Sequence, residues 1–308
     1  MRNATTRQLQ IFSVAATHLS FARASEQLQL TQAAVSLHIK QLEDVSGVKL
    51  FDRIGKRIFL TEAGEILLEY ARQILKALHD ADDALQALKK LKAGQMTIAV
   101  TSTAEHFAPG LLAGFNRQQS DIGVRLVIEN REEVARLLTA NEVDLAIMGR
   151  PPANMDAEAV SIAPHPFVIV ANSRHDLVEH QKISVKDLSE ESLIVRETGS
   201  GTRAAMEDFF NEYGIEPQIG MEMSSNEAIK QAVIAGLGIS FISQHTLGLE
   251  SRSGRLTVPN VEGTPVMRRW FLVCHRNKRQ TPTLNAFWDF AVRYAPRYLK
   301  SMFEISRI

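Results

Sequence analysis

Apolar residues in the first ninety positions recur at helical spacing. Leu9, Phe12, Val14, Ala15 and Leu19 form one stripe, and Phe21, Ala24 and Leu28 a second. A third comprises Ala34, Val35, Leu37, Ile39 and Leu42. Gly55 then separates two short apolar runs, Leu50-Phe51 and Ile58-Phe59-Leu60, which predicts a small hairpin. From Thr61, a good N-cap, a helical pattern without proline continues to Ala93-Gly94. Within it Leu67, Ala71, Ile74, Leu78, Ala81, Leu85 and Leu88 are spaced alternately by four and three, a heptad seam. A core helix of a larger bundle would show the same stripe. The three preceding helices are too short, and the flanking face too charged, to cover it, so a partner chain is expected there.

After Gly94 strands alternate with helices. The strand-like runs are Met96–Val100, Val124–Ile128, Asp144–Met148, Phe167–Val170, Leu193–Val195, Ile239–Ile242 and Trp270–Val273. Helical patterns fall at Phe107–Gln118, Glu132–Ala140, Thr202–Tyr213 and Asn226–Ala235. This alternation predicts parallel sheets with helices on both faces, as one domain or two small ones.

Composition is that of a globular protein, 45% hydrophobic and 23% charged, with a formal net charge of zero over 308 residues. The average conceals a bias. Through Leu60 the chain carries eight basic residues against four acidic ones, a local surplus of four positive charges. A basic first segment in a neutral whole suits a chain that separates DNA binding from another task. The single cysteine, Cys274, excludes an intrachain disulfide framework and reads as a buried strand residue. The N-terminus leads into no signal-peptide apolar core, and no stretch approaches the roughly 18 apolar residues of a membrane span. A cytoplasmic location without membrane association is expected.

The segment from Ser20 to Ser36 carries the most chemistry. Ser20 and Thr31 can cap two short helices joined tightly at Gln29-Leu30, and Ala24, Leu28, Val35 and Ile39 let the helices cross closely. In a helix-turn-helix the second helix enters the major groove by its N-terminal end. Thr31, Gln32, Ala33, Ser36, His38 and Lys40 are therefore candidate DNA contacts. Gln pairs with adenine edges, and Ser with a base or a phosphate. Arg53, Lys56 and Arg57 cluster around Gly55 in the predicted hairpin, where a wing would meet phosphates or the minor groove. A polar-faced helical hairpin followed by a solvated turn would explain the same residues without DNA.

The full set of motifs narrows the choice. Arg7-Gln8-Leu9-Gln10-Ile11-Phe12, Leu30-Thr31-Gln32-Ala33-Ala34-Val35-Ser36, Ile39-Lys40-Gln41-Leu42-Glu43, Leu50-Phe51-Asp52-Arg53 and Leu60-Thr61-Glu62-Ala63-Gly64 occur in register. Together they resemble the N-terminal signature of LysR-type transcriptional regulators. Ala33 stands where that family usually has proline, which suits a first helical turn but is not required there. Arg150-Pro151-Pro152, Gly199-Ser200-Gly201-Thr202-Arg203, Ser225–Val233, Ala235–Ser240 and His245–Glu250 resemble the branch of the family that governs carbon-fixation (Calvin cycle) operons.

The resemblance implies a winged helix-turn-helix over residues 1–61, a dimerising linker helix over 62–93 and an effector-binding domain over 94–308. That domain would fold like a periplasmic solute-binding protein, with one α/β subdomain over about 94–165 and 270–308 and the other over about 166–269. Pro164–Val170 and Arg268–Val273 are best placed to cross between them. The implied partners are an operator in double-stranded DNA, a second copy or a dimer of dimers, and RNA polymerase. A small-molecule co-inducer, in this branch a phosphorylated metabolite or NADPH, would take the place of a cofactor.

Ligands of open α/β sheets bind outside the carboxyl ends of strands. That rule nominates Ser102 and Thr103 after the first strand, and Glu197, Ser200, Gly201, Thr202 and Arg203 after Leu193–Val195. Asn226, at the start of its helical pattern, completes the set. Glycines before a helix N-terminus let backbone N–H groups approach an anion, and Arg203 could add a bidentate contact. An ordinary Gly-rich turn with a Thr cap has the same sequence. A LysR-type regulator of an unrelated operon with a non-phosphorylated effector, a bare solute-binding protein and an enzyme are the alternatives. Against an enzyme, the nine histidines show no metal spacing and no nucleophile motif occurs.

Overall fold

The computed structural model describes residues 4–54, 57–88, 94–153, 155–276, 278 and 281–305. Two compact units emerge, one over residues 1–91 with the short segment Ala140–Glu142, and one over the rest.

The N-terminal unit contains α1 (Thr6–His18), α2 (Phe21–Leu28), α3 (Gln32–Ser46), β1 (Phe51–Ile54), β2 (Arg57–Leu60) and α4 (Glu62–Leu88). Each start is chemically marked. Thr5 and Gln8 form a capping box, Ser20 accepts from the Arg23 amide, Thr31 from Ala34 and Thr61 from Gly64. Gln29 ends α2 in the left-handed region (φ 53°), which makes the turn into α3 tight. Ile11, Phe12, Ala15, Ala24, Val35 and Leu42 meet in one core, closed by Phe51 edge-on to Phe12 and Phe21. Glu43 straps the hairpin to α3: its carboxylate accepts from the Leu50 amide at 3.0 Å and from Lys49 Nζ at 2.6 Å.

The predicted seam on α4 divides. Leu67 and Ala71 are buried in the unit's own core and cannot face a partner. Ile74, Leu78 and Leu85 are 44%, 48% and 58% exposed, and Ala81 is exposed too. Ile66 and Tyr70 continue the exposed stripe toward the N-terminus of α4. The heptad count misplaced its first turn because α1 and the hairpin already cover that face. The side chain of Leu88 lies outside the described residues.

The second unit is built on a nine-stranded mixed sheet. Its elements are β3 (Gln95–Thr101), α5 (Ala108–Asn116), β4 (Gly123–Glu129), α6 (Arg131–Thr139), β5 (Leu145–Met148), β6 (Ala157–Asn172), β7 (Ser192–Arg196), α7 (Gly201–Glu212), β8 (Gln218–Met223), α8 (Asn226–Ile234), β9 (Ile239–Ser243), α9 (Leu249–Arg252), β10 (Leu256–Thr257), β11 (Val266–His275) and α10 (Pro282–Ile305). The order is β4-β3-β5-β11-β6-β9-β7-β8, with β10 beside β6. Strands β3, β4 and β5 are parallel, as are β7, β8 and β9. Between these lobes β6 and β11 pair antiparallel to each other.

Alternate residues of each strand serve opposite faces. In the second lobe Phe167, Ile169, Leu193 and Val195 pack with Met206, Phe209 and Phe210 of α7, while Val168, Val170 and Ile194 pack with Ile229 and Val233 of α8. Burial on both faces explains why these strands are continuous apolar runs. In the first lobe α5 and α10 cover one face and α6 the other.

Three expectations need correction. The sheet is not purely parallel, because the crossing strands traverse both lobes in opposite directions. Those strands extend well beyond Pro164–Val170 and Arg268–Val273. Asp144 precedes β5 rather than starting it; buried, it accepts from the Thr97 amide at 2.7 Å and pairs with Lys278 at 2.6 Å. The sequence also conceals β8, an exposed edge interrupted by Gly220, and α10, whose pattern contains Pro296. Cys274 is buried in β11 as expected. Among the described residues no helix is long and apolar enough to cross a membrane.

Glu43→Ala would leave the buried Leu50 amide without its acceptor, at a cost of about 1–3 kcal/mol. Faster hydrogen exchange at Leu50 and Phe51 and a lower denaturation midpoint are the expected outcomes; unchanged exchange would refute the strap.

Candidate functional site

In the N-terminal unit α3 presents Gln32, Ala33 and Lys40 fully to solvent and Ser36 partly. Thr31 is exposed but its hydroxyl is engaged as the helix cap. His38 is half-buried on the flank toward the core, with Nδ1 shielded and unbonded, so it is poorly placed to reach a groove. Leu37, 54% exposed one turn after Ala33, shares the outward face instead. Sequence reasoning passed over it because an apolar residue within a helical stripe reads as core. On the hairpin Arg57 is exposed at the start of β2. Arg53 belongs to β1, but its side chain lies outside the described residues, as does Lys56 altogether.

In the second unit a cavity of about 490 Å³ opens between the two lobes, within the range of small-ligand sites. Ser102 and Thr103 reach it from a 3-10 turn (Ser102–His106) after β3, and Ser200, Gly201 and Thr202 from the start of α7. Ser200 caps α7 by accepting from the Thr202 amide at 3.2 Å. The helix end supplies positive partial charge. Thr103 and Thr202 hydroxyls approach to 3.4 Å across the cleft.

Four arginines absent from the sequence-derived set also line the cavity: Arg131, Arg150, Arg268 and Arg269. Arg131 forks onto the Arg150 carbonyl at 3.2 and 3.3 Å and so pins that loop. A Cβ at Gly201 would lie 3.2 Å from Arg131 Cδ, so glycine there lets the arginine cross the helix start. Arg268 pairs with Asp208 at 2.8 Å, and Arg269 donates to Ser161 Oγ. The Arg150 guanidinium makes no protein contact of this kind among the described residues. Four cations against the one carboxylate of Asp208 make the cavity strongly electropositive. Their positions, at the start of α6, in the loop after β5 and on β11, lie in segments far apart in sequence and left no local motif to find.

The floor is aromatic. His165 stacks on Trp270 with centroids 3.8 Å apart, and its Nε2 lies 3.0 Å from Ser243 Oγ. Trp270 Nε1 donates to His245 Nδ1 at 3.1 Å. Burial, helped by neighbouring His245, holds His165 well below the usual imidazole range; burial alone brings His245 to about 4. Both rings are therefore neutral; His165 lines the cavity, with Trp270 and His245 packed behind it, and charge there is left to the arginines.

Three nominated residues do not line the cavity. Arg203 turns away to Glu207 (2.6 Å) and Glu222 (3.3 Å) and donates to the Arg196 carbonyl. Glu197 accepts from Arg196 through both oxygens. Asn226 accepts from the same arginine at 2.7 Å. Glu207 of the same helix and Glu222 of β8 take Arg203, and Arg196 takes Glu197 and Asn226, so none of the three is left for a ligand.

Comparison with known proteins agrees with this architecture. Residues 6–65 match the family described as bacterial regulatory helix-turn-helix protein, lysR family, and residues 89–296 match the LysR substrate binding domain. The RuBisCO operon transcriptional regulator of Allochromatium vinosum is 45% identical over 94% of this chain and 96% of its own. The regulatory domain of CcmR from Synechocystis PCC6803, solved in complex with 2-PG, is 34% identical with a TM-score of 0.63, covering 65% of this chain and 97% of that one. CbnR, a LysR family transcriptional regulator, shares the fold over 94% of this chain and 99% of its own, at 24% identity and a TM-score of 0.72. With a basic helix-turn-helix before a two-lobed ligand cavity, and these matches along its length, the chain belongs to the LysR family of DNA-binding transcriptional regulators rather than to any family of enzymes.

Proposed function

We propose that this regulator acts in the cytoplasm on a carbon-fixation operon and senses a small phosphorylated metabolite between the lobes of its second unit. The observation that carries the ligand class is the cavity itself: four arginines and the N-terminus of α7 converge on a space the size of a small metabolite. The 2-PG (2-phosphoglycolate) complex of the Synechocystis domain supports a phosphorylated ligand, and the RuBisCO operon regulator supports the target. Ser102, Thr103, Ser200, Gly201 and Thr202 would bind the anion together with Arg150 and Arg131. DNA would be read by Gln32, Ser36 and Leu37, with Lys40, Arg53, Lys56 and Arg57 on phosphates, and RNA polymerase would be a further partner. Domain boundaries near 61 and 93 follow from this division, with α4 joining two copies through Ile66, Tyr70, Ile74, Leu78, Ala81 and Leu85. A dimer of dimers would then span an interrupted palindrome.

The direct test is gel retardation of the DNA upstream of a carbon-fixation operon with and without 2-phosphoglycolate. Specific, salt-sensitive, metabolite-modulated binding is expected; no retardation at low salt would reject the reading. Arg57→Ala should weaken binding to all sequences and flatten the log–log salt slope by about 0.9. Gln32→Ala should instead relax preference at one position per half-site, by about 1–3 kcal/mol. Identical, uniform losses from both would end that division of labour.

Leu78→Glu should place an unpartnered carboxylate in an apolar contact and yield monomers in sedimentation. Leu67→Ala should instead lower the stability of the N-terminal unit by about 2–5 kcal/mol with the oligomer retained. An unchanged oligomer in Leu78→Glu would reject the displaced seam.

For the cavity, Arg150→Ala should weaken 2-phosphoglycolate about tenfold or more by calorimetry. Arg203→Ala should leave that affinity within about threefold of wild type. The reverse order would restore Arg203 to the site.

A further inference from the structure

Arg196 closes β7 and is the most deeply enclosed charge near the cavity, 2% exposed. It does not line the cavity, and its bonds join the two lobes. Nη2 donates to Ser102 Oγ at 3.0 Å, across to the turn after β3. Nη1 donates to Asn226 Oδ1 at 2.7 Å, at the start of α8. Nε and Nη2 hold both oxygens of Glu197 at 2.7 and 2.9 Å. Arg203 fixes the Arg196 carbonyl. The Asn226 orientation is forced, since its amide nitrogen would oppose a guanidinium N–H; that nitrogen is buried without an acceptor.

Ser102 is the only one of these bonded side chains that also lines the cavity. A hydroxyl that accepts from a buried guanidinium turns its own proton away from that donor, toward the open side. Hydrogen bonds to a charged partner are stronger and polarise the next bond in the chain.

We infer that Arg196 is a positioning residue that ties the two lobes through Ser102 and Asn226 and orients the Ser102 hydroxyl as a donor to an anionic oxygen in the cavity. This rests on the cavity being the effector site. A phosphate oxygen at Ser102 strengthens the tie and favours the closed cleft; a ligand whose anion is a carboxylate held elsewhere in the cavity leaves the tie unchanged. Differential affinity for the two states of the cleft is what an effector needs to shift them. Arg196 thereby makes closure selective for the phosphate end of a ligand although it never touches the ligand.

The experiment is a double-mutant cycle in the full-length chain. Ser102→Ala, Arg196→Lys and the double variant are titrated by calorimetry with 2-phosphoglycolate and, separately, with glycolate, which lacks the phosphate. Each single substitution should weaken phosphoglycolate about tenfold, with the double variant no weaker than the worse single. Glycolate should change less than about threefold. A merely structural role would lower both ligands alike. Additive losses, or an unchanged ratio between the ligands, would overturn the inference. Should Arg196→Lys fail to fold, Asn226→Ala takes its place: it removes the other anchor of Arg196 while Glu197 still neutralises the charge, and the same non-additivity with Ser102→Ala is expected. Wild-type protein that takes up neither probe would refute the proposed ligand class instead. The tie is then read from ligand-free melting of the same variants, where non-additive losses support it and additive ones overturn it.

Discussion

The antiparallel pairing of β6 with β11 is the constraint on which the ligand-binding unit depends. Each lobe is a parallel sheet with helices on both faces, and each builds its own apolar core. Two long strands carry the chain between them, paired from Val266 opposite Phe167 to His275 opposite Ala157. The ladder leaves the carboxyl ends of both parallel sets facing a common space. His165, Trp270 and His245 lock the crossing with one stack and one hydrogen bond, and through His165 this joint backs onto the cavity.

Around that joint positive charge is distributed unevenly by purpose. Arg203 and Arg268 are engaged with carboxylates, and Arg131 gives Nε and Nη2 to the Arg150 carbonyl. Arg196 is wholly enclosed. Arg150 lines the cavity with its guanidinium in no such pair among the described residues. A charge in a low-dielectric wall acts strongly on a ligand, so the partners already satisfied matter as much as the number of arginines.

The N-terminal unit solves a different problem with the same means. Short helices are marginal alone, and here each begins on a side-chain cap while Glu43 holds the hairpin against α3. The core covers the first turns of α4 and releases its remainder as an exposed apolar stripe. One helix thus buries Leu67 and Ala71 in the unit's core while Ile66, Tyr70, Ile74, Leu78 and Leu85 leave an exposed apolar stripe, a change of role within a continuous heptad pattern.

Local chemistry made much of this protein legible in its sequence. Caps at Ser20, Thr31 and Thr61, helical stripes around Phe12 and Val35, and doubly buried runs such as Phe167–Val170 act over a few residues, so the elements and their alternation could be read directly. Ser102, Thr103, Ser200, Gly201 and Thr202 were legible because strand ends and a glycine-rich helix start mark a position, not merely a residue type. The exposed edge strand β8, with Gly220 in it, and α10, whose apolar spacing is interrupted by Pro296, were not. What the sequence by itself determined is the family, the two-unit plan and the loops that bound the cavity. Only the tertiary structure decided which charges face it. Arg150, after β5, and Arg269, on β11, reach one cavity through the packing of distant elements, whereas Arg203 and Asn226 are held in part by Glu222 and Arg196 from other elements, and Glu197 is taken by its own neighbour Arg196. Local spacing encodes a pair such as Arg203 and Glu207, one turn apart on α7, but which charges face a shared cavity is settled by which elements pack against one another, and no local spacing encodes that.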